Sequence, residues 1–285
     1  MFKNLAPGGI GIQANIQESL ELAKSAGFGG SDLNIVEAST LAEKHSIQYV
    51  KDLWSEAGLQ MGAWGLEIDW RASGAAYYES LSRFAKFAQL AADLGCFRCT
   101  SALPGWSDEL TFTENWDFHV KRLRPAAEIL KDYGHALGLE YIAPSTSRAS
   151  SKYGFVHSMD GMLALGAGIG TGNVRLLLDA WHWYVAHETI ADLKKLNVDD
   201  IVSVHICDAP AGVDVDDQVD GVRAMPAETG VVPLGEFIRI VSDLGYDGPV
   251  AAEPLRKPAD HMSAMEAAQA TSESLDTVWR QAGIS

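Results

Sequence analysis

LGLEYIA, residues 137–143, is an apolar run of strand length with one carboxylate, Glu140, set inside it. The same design returns three times downstream. VRLLLDA (174–180) ends on Asp179, IVSVHICDA (201–209) carries His205, and PVAAEPL (249–255) carries Glu253. A charged side chain is rarely buried alone, because desolvating a lone charge costs several kcal/mol. Four such residues on successive strands make chemical sense if the strands lie side by side with their ends at one mouth.

Working outward, strand-like and helix-like stretches alternate along the chain. Leu5–Gly11 is a short apolar opening, and Asn15 is placed to cap a helix that Gly27 stops. SDLNIV (31–36) reads as the next strand. Residues 40–57 read as one helix with Leu41, Ile47, Val50 and Leu53 on a stripe. LQMGAWGLEI (59–68) and CFRCTSAL (96–103) read as strands, with a helix at 75–94 between them. Further helices are expected over 114–134, 159–167, 188–196, 234–244 and 260–281. Eight strand–helix pairs predict a parallel sheet closed into a single (β/α)8 TIM barrel, one domain over residues 1–285. An open doubly wound sheet is the rival, but no G-x-G-x-x-G opens the first helix.

At 285 residues the chain has a length normal for one such barrel. Its 22 basic and 38 acidic residues leave a formal charge of −16, which repels a phosphate backbone and argues against nucleic acid as a partner. No apolar run is long enough for a membrane helix, and the N-terminus lacks a signal-peptide pattern, so a cytoplasmic protein is expected. Cys96 and Cys99 form a C-x-x-C within a strand-like run. Residues i and i+3 point to opposite strand faces, and no second pair completes a zinc site, so buried thiols are expected.

Three carboxylates and one imidazole at a common mouth are a ligand set for a divalent cation, Mn²⁺ first, with Co²⁺, Mg²⁺ or Zn²⁺ as alternatives. The competing reading is a hydrogen-bonded polar core without metal. A cation on a ketone's carbonyl and a neighbouring hydroxyl stabilises the enediolate left when the adjacent C–H loses its proton. A carboxylate about 3 Å away can take that proton.

The chain resembles the xylose-isomerase-like barrels known as sugar phosphate isomerases/epimerases, whose members include D-tagatose 3-epimerase, inosose dehydratase and C-glycoside deglycosidase catalytic subunits. The carriers are GFGGSDLNI (27–35), GLEYIAP (138–144), LLLDAWHWY (176–184), VHICDAP (204–210), R-x-M-P-A-x-T-G from Arg223 to Gly230, and YDGPVAAEP (246–254). The resemblance implies that Glu140, Asp179, His205 and Glu253 hold the metal. It also implies that Glu140 and Glu253 exchange the proton, and that His182 and Arg223 hold substrate oxygens. The implied partner is a small sugar or keto-glycoside; a homo-oligomer or a small accessory subunit fits the same family.

Trp64, Trp106, Trp181 and Trp183 lie near predicted strand ends, where a sugar face or an aromatic aglycone could stack; core packing is the alternative for each. Trp64 and Trp106 are the two taken as substrate contacts. Tyr141 should point away from the site if Glu140 points in. Asp208 could orient His205 or the loop after it. The Ser-rich segment 145–151 and the acidic segment 209–226 read as loops on the active face. Beside an isomerase or epimerase, three other activities fit parts of the pattern. They are a lyase eliminating from a 3-keto C- or O-glycoside, an abasic-site endonuclease needing more histidine ligands, and a non-catalytic sugar-binding subunit.

Overall fold

A computed structural model describes residues 1–255 and 258–284. Its strands are β1 (Phe2–Leu5), β2 (Gly30–Ser31), β3 (Gln60–Met61), β4 (Trp64–Gly65), β5 (Arg98–Pro104), β6 (Trp106–Ser107), β7 (Ala136–Ile142), β8 (Tyr153–Gly154), β9 (Val174–Asp179), β10 (Ile201–Ile206) and β11 (Pro249–Ala252). Nine of them form one parallel sheet in the order β3-β2-β1-β11-β10-β9-β7-β5-β4. The two ends of that order, β3 and β4, are separated in the chain by Gly62 and Ala63 alone. Helices between the strands pack against the sheet through one continuous apolar core. The remaining pair, β6 and β8, forms a small antiparallel ladder with Trp106 opposite Gly154.

Local chemistry explains where the elements differ from the sequence expectation. SDLNIV is not a strand throughout: pairing ends at Ser31, and the Asn34 side chain accepts from Glu37 N to start the helix Ile35–Lys44. The expected helix over 40–57 is two helices, because Ser46 caps a fresh start at Ile47 by accepting from Tyr49 N. The opening run is the strand Phe2–Leu5 followed by a 3-10 turn over Pro7–Ile10, where proline has no N–H to pair. The 59–68 strand is two short pieces. The run 174–180 stops at Asp179, which caps the helix Ala180–Val185. The helix expected at 188–196 shrinks to Ile190–Leu193. The Ser-rich loop contains a turn of helix, Ser145–Ala149.

Register carries the four charged residues to one end. His205 pairs with Asp179 on one side and Ala251 on the other, and Ala102 pairs with Glu140. Gly138, two residues before Glu140 on the same face, is needed for space: a Cβ there would lie 2.9 Å from Val202 Cβ and 3.1 Å from Leu177 N. Cys96 and Cys99 are buried free thiols, and burial pushes the Cys96 thiol up to about 12. Among the described residues no helix is long and apolar enough to cross a membrane.

Candidate metal centre

Glu140, Asp179, His205 and Glu253 each offer one ligand atom, and these atoms lie within 4.8 Å of one another. His205 Nδ1 is 3.3 Å from Glu253 Oε2 and 3.8 Å from Glu140 Oε1. His205 Nδ1 and Glu140 Oε1 are buried polar atoms that make no hydrogen bond. A native interior rarely tolerates that, since an unmatched buried acceptor costs about 1–3 kcal/mol. Two facing orphans among hard oxygen ligands fit a divalent ion, which would satisfy both at once.

The charges respond to this crowding. Burial works against the imidazolium, but the carboxylates of Glu253, Glu140 and Asp179 outweigh it and push His205 up to about 10. Burial would raise Glu253, yet His205 and Arg223 hold it down to about 2. Glu140 is pushed well above the carboxylate range by burial first, then by the charges of Glu253 and Asp179.

Arg223 is the other cation. Its side chain is 1% exposed, and its Nη1 donates to Asp179 Oδ2 at 3.0 Å and Glu253 Oε2 at 3.4 Å. Nη2 donates to His182 Nε2 at 2.8 Å, and Nε and Nη2 both reach Asp220 Oδ1. His182 is therefore buried and unprotonated, its pKa pushed down to about 3 by burial and then by Arg223. Asp179 Oδ1 accepts from Trp181 N and His182 N at the helix start. The structure thus gathers six of the eight site residues named from sequence around one centre.

Trp64 is among the residues bordering the cavity beside the centre, and its buried ring packs against Phe84 and His135. Trp106 is half-buried in the β6–β8 ladder. Trp181 lies under the Arg223 guanidinium, 4.6 Å from it, and Trp183 packs on Phe237.

Asp208 orients the loop rather than His205. Its carboxylate accepts from the backbone N–H of Thr229, Gly230 and Val232, pinning the segment that follows Arg223. The two long loops meet as well: Ser145 Oγ donates to Asp216 Oδ1, and Thr146 Oγ1 donates to the carbonyl of Gln218, each at 2.9 Å.

Sequence reading missed Glu188, which lies behind the centre. Tyr141, pointing away from Glu140, donates its hydroxyl to Glu188 Oε2 at 2.6 Å, and Met159 N donates to Oε1 at 2.7 Å. Burial raises Glu188 to about 7 despite those two donors. Because the folded pKa exceeds the unfolded value, the stabilisation is complete below about pH 4.5 and lost as pH rises through about 7. Glu188→Gln should remove that slope, so wild type should lose about 3 kcal/mol more than the variant between pH 4.5 and 8. Urea unfolding at the two pH values checks this; parallel curves would refute it.

A cavity of about 510 Å³ opens beside the centre, lined by residues of the 6–16 and 32–34 segments, by Ala63–Gly65 and Thr100, and by Glu253 from the metal set.

Comparison with known proteins gives one family: the xylose isomerase-like TIM barrel matches residues 20–280. The inosose isomerase of Halalkalibacterium halodurans is 28% identical over 151 residues, 52% of this chain and 49% of that protein, so the match spans about half the curated relative's length. A solved xylose isomerase domain protein from Alicyclobacillus acidocaldarius is 30% identical, covers 99% of both chains and superposes with a TM-score of 0.88. The structure of IOLI protein with a bound zinc atom matches over 99% of both chains at 18% identity, with a TM-score of 0.79.

Proposed function

The chain belongs to the xylose isomerase-like TIM barrel family, and from that premise we propose that it is a divalent-metal-dependent sugar isomerase or epimerase, its residues 1–285 working as one domain. It moves a proton on the carbon next to a keto group. The observation that supports this most is the pair of buried ligand atoms that make no hydrogen bond, Glu140 Oε1 and His205 Nδ1, inside a set of three carboxylates and an imidazole. Glu140, Asp179, His205 and Glu253 would hold the ion, which would supply a Lewis acid for the substrate carbonyl. Mn²⁺ suits three oxygen ligands and one nitrogen best, and the zinc of the IOLI structure keeps Zn²⁺ among the alternatives.

The two glutamates divide the proton work. Glu253 borders the cavity, which places it to take the proton. Glu140, the other glutamate of the set, is assigned to give one back. Return to the opposite face of the same carbon is epimerisation; return to the neighbouring carbon is isomerisation. Arg223 and His182 are assigned to substrate oxygens.

The wall formed by Ile12, Ile16 and Leu33 favours a second reading, a lyase. Such a wall would hold the aglycone of a keto-glycoside while β-elimination cleaves it. One experiment separates the readings. Mn²⁺-loaded protein is incubated in D₂O with a panel of ketoses, inososes and 3-keto-glycosides. Deuterium at the carbon next to the ketone supports the isomerase, and a released aglycone supports the lyase. If neither appears for any substrate, both fall.

A further inference from the structure

The cavity beside the metal centre has two carboxyl groups on its wall, Glu253 and Asp32. Asp32 follows β2 at its C-terminal end, and nothing in the proton transfer described above uses it. Its Oδ1 is fully occupied: Asn4 Nδ2 donates at 2.7 Å and Ala63 N at 2.9 Å. Its Oδ2 takes no hydrogen bond from any described residue. Gly62 makes this arrangement possible, since a Cβ there would collide with both Asp32 Oδ1 and the Asn4 amide. Asn4 is itself 1% exposed. A buried amide, a backbone N–H and an obligatory glycine therefore fix one oxygen of a carboxyl group while the other is left to the cavity.

Strand register gives the span. Asn4 pairs with Gly30 on one side and Ala251 on the other. Continuing two residues places Ala6 between Asp32 and Glu253, so the two carboxyl groups stand two strand spacings apart, about 10 Å between backbones. With both side chains reaching into the cavity, the gap is one that a six-carbon polyol bridges.

We propose that Asp32 is the second anchor of the substrate cavity, binding a hydroxyl at the end of a polyhydroxylated ring or chain remote from the carbon whose proton Glu253 takes. This rests on the functional reading above and narrows its substrate class: sugars or cyclitols with a free hydroxyl across the ring from the reacting carbon are bound, and analogues lacking it are rejected. Burial also raises the Asp32 pKa, which favours a carboxyl able to donate to such a hydroxyl.

The test uses Mn²⁺-loaded wild type, Asp32→Ala and Asp32→Asn, with metal content and melting temperature recorded for each. Calorimetric titrations with myo-inositol, D-fructose, D-glucose and methyl β-D-glucoside report binding without turnover. Asp32→Ala should weaken the polyols that wild type binds by about 10-fold, the worth of one hydrogen bond. Asp32→Asn, which keeps the Oδ1 acceptor and offers an amide donor, should stay within about 3-fold of wild type. Metal content should not change. For any substrate that exchanges deuterium, KM should rise in Asp32→Ala with kcat nearly unchanged. Equal affinities in wild type and Asp32→Ala, loss of metal from the variant, or no polyol bound by wild type would each overturn the proposal. Asp32-dependent binding without deuterium exchange would sink the isomerase reading and leave Asp32 standing; exchange with an unchanged KM would do the reverse.

Discussion

Glu140→Gln should lower the rate of solvent deuterium incorporation by about 10²–10⁴-fold per bound metal ion, the range expected when a positioned proton carrier is removed. The residue is unusual in its surroundings: 5% exposed, on a strand whose neighbours Leu139 and Tyr141 are fully buried, with Oε1 making no hydrogen bond. Glutamine preserves size and one oxygen for coordination but cannot carry the proton. Expressing the rate per bound ion separates proton transfer from metal loss. Glu140→Asp, which keeps the acid on a shorter arm, should lose less. A glutamine variant within about 5-fold of wild type would show that neither the charge nor the proton of Glu140 is needed for the transfer.

Arg223→Met should destabilise the metal-free protein by about 3–5 kcal/mol, the cost of breaking a buried ion pair from one side. The guanidinium is in contact with Asp179, Glu253, His182 and Asp220, and it stacks over Trp181. Removing it leaves the Asp179 carboxylate, 0% exposed, without its countercharge. For a chain of this length that is a fall in melting temperature of roughly 5–10 °C. Mn²⁺ should narrow the gap between variant and wild type, because a bound cation neutralises the same carboxylates. Scanning calorimetry with chelator and with Mn²⁺ checks both parts. A shift below 2 °C in chelator would mean that Arg223 is not what balances this cluster.

The late strands were readable because each sets one charged residue in an apolar run, and because Glu140, Asp179, His205 and Glu253 lie on strands that are neighbours in the sheet. The early strands were harder. SDLNIV has the composition of a strand, but Asn34 finds Glu37 N and turns the chain into a helix after two paired residues. The break at Ser46 is likewise decided by one side-chain hydrogen bond that hydrophobic periodicity does not register. Arg223 could be assigned to the site from its motif, whereas its complete burial and its pairing with Asp179 depend on a loop that Asp208, just after β10, pins at its far end. Glu188 and Asp32 lie outside any apolar run with a charge in its centre, so the pattern that found the other carboxylates passed over them. Trp64 was legible as a strand-end aromatic, but its packing against Phe84 was not.

The most direct test of the central claim is elemental analysis of metal per chain, on wild-type protein incubated with Mn²⁺ and then dialysed, beside Glu253→Ala treated identically. One ion per chain in wild type, lost from the variant, is the predicted result. No ion retained by wild type after exposure to Mn²⁺ or Co²⁺ would contradict it, and the four residues would then be a buried ion-pair network rather than a metal centre.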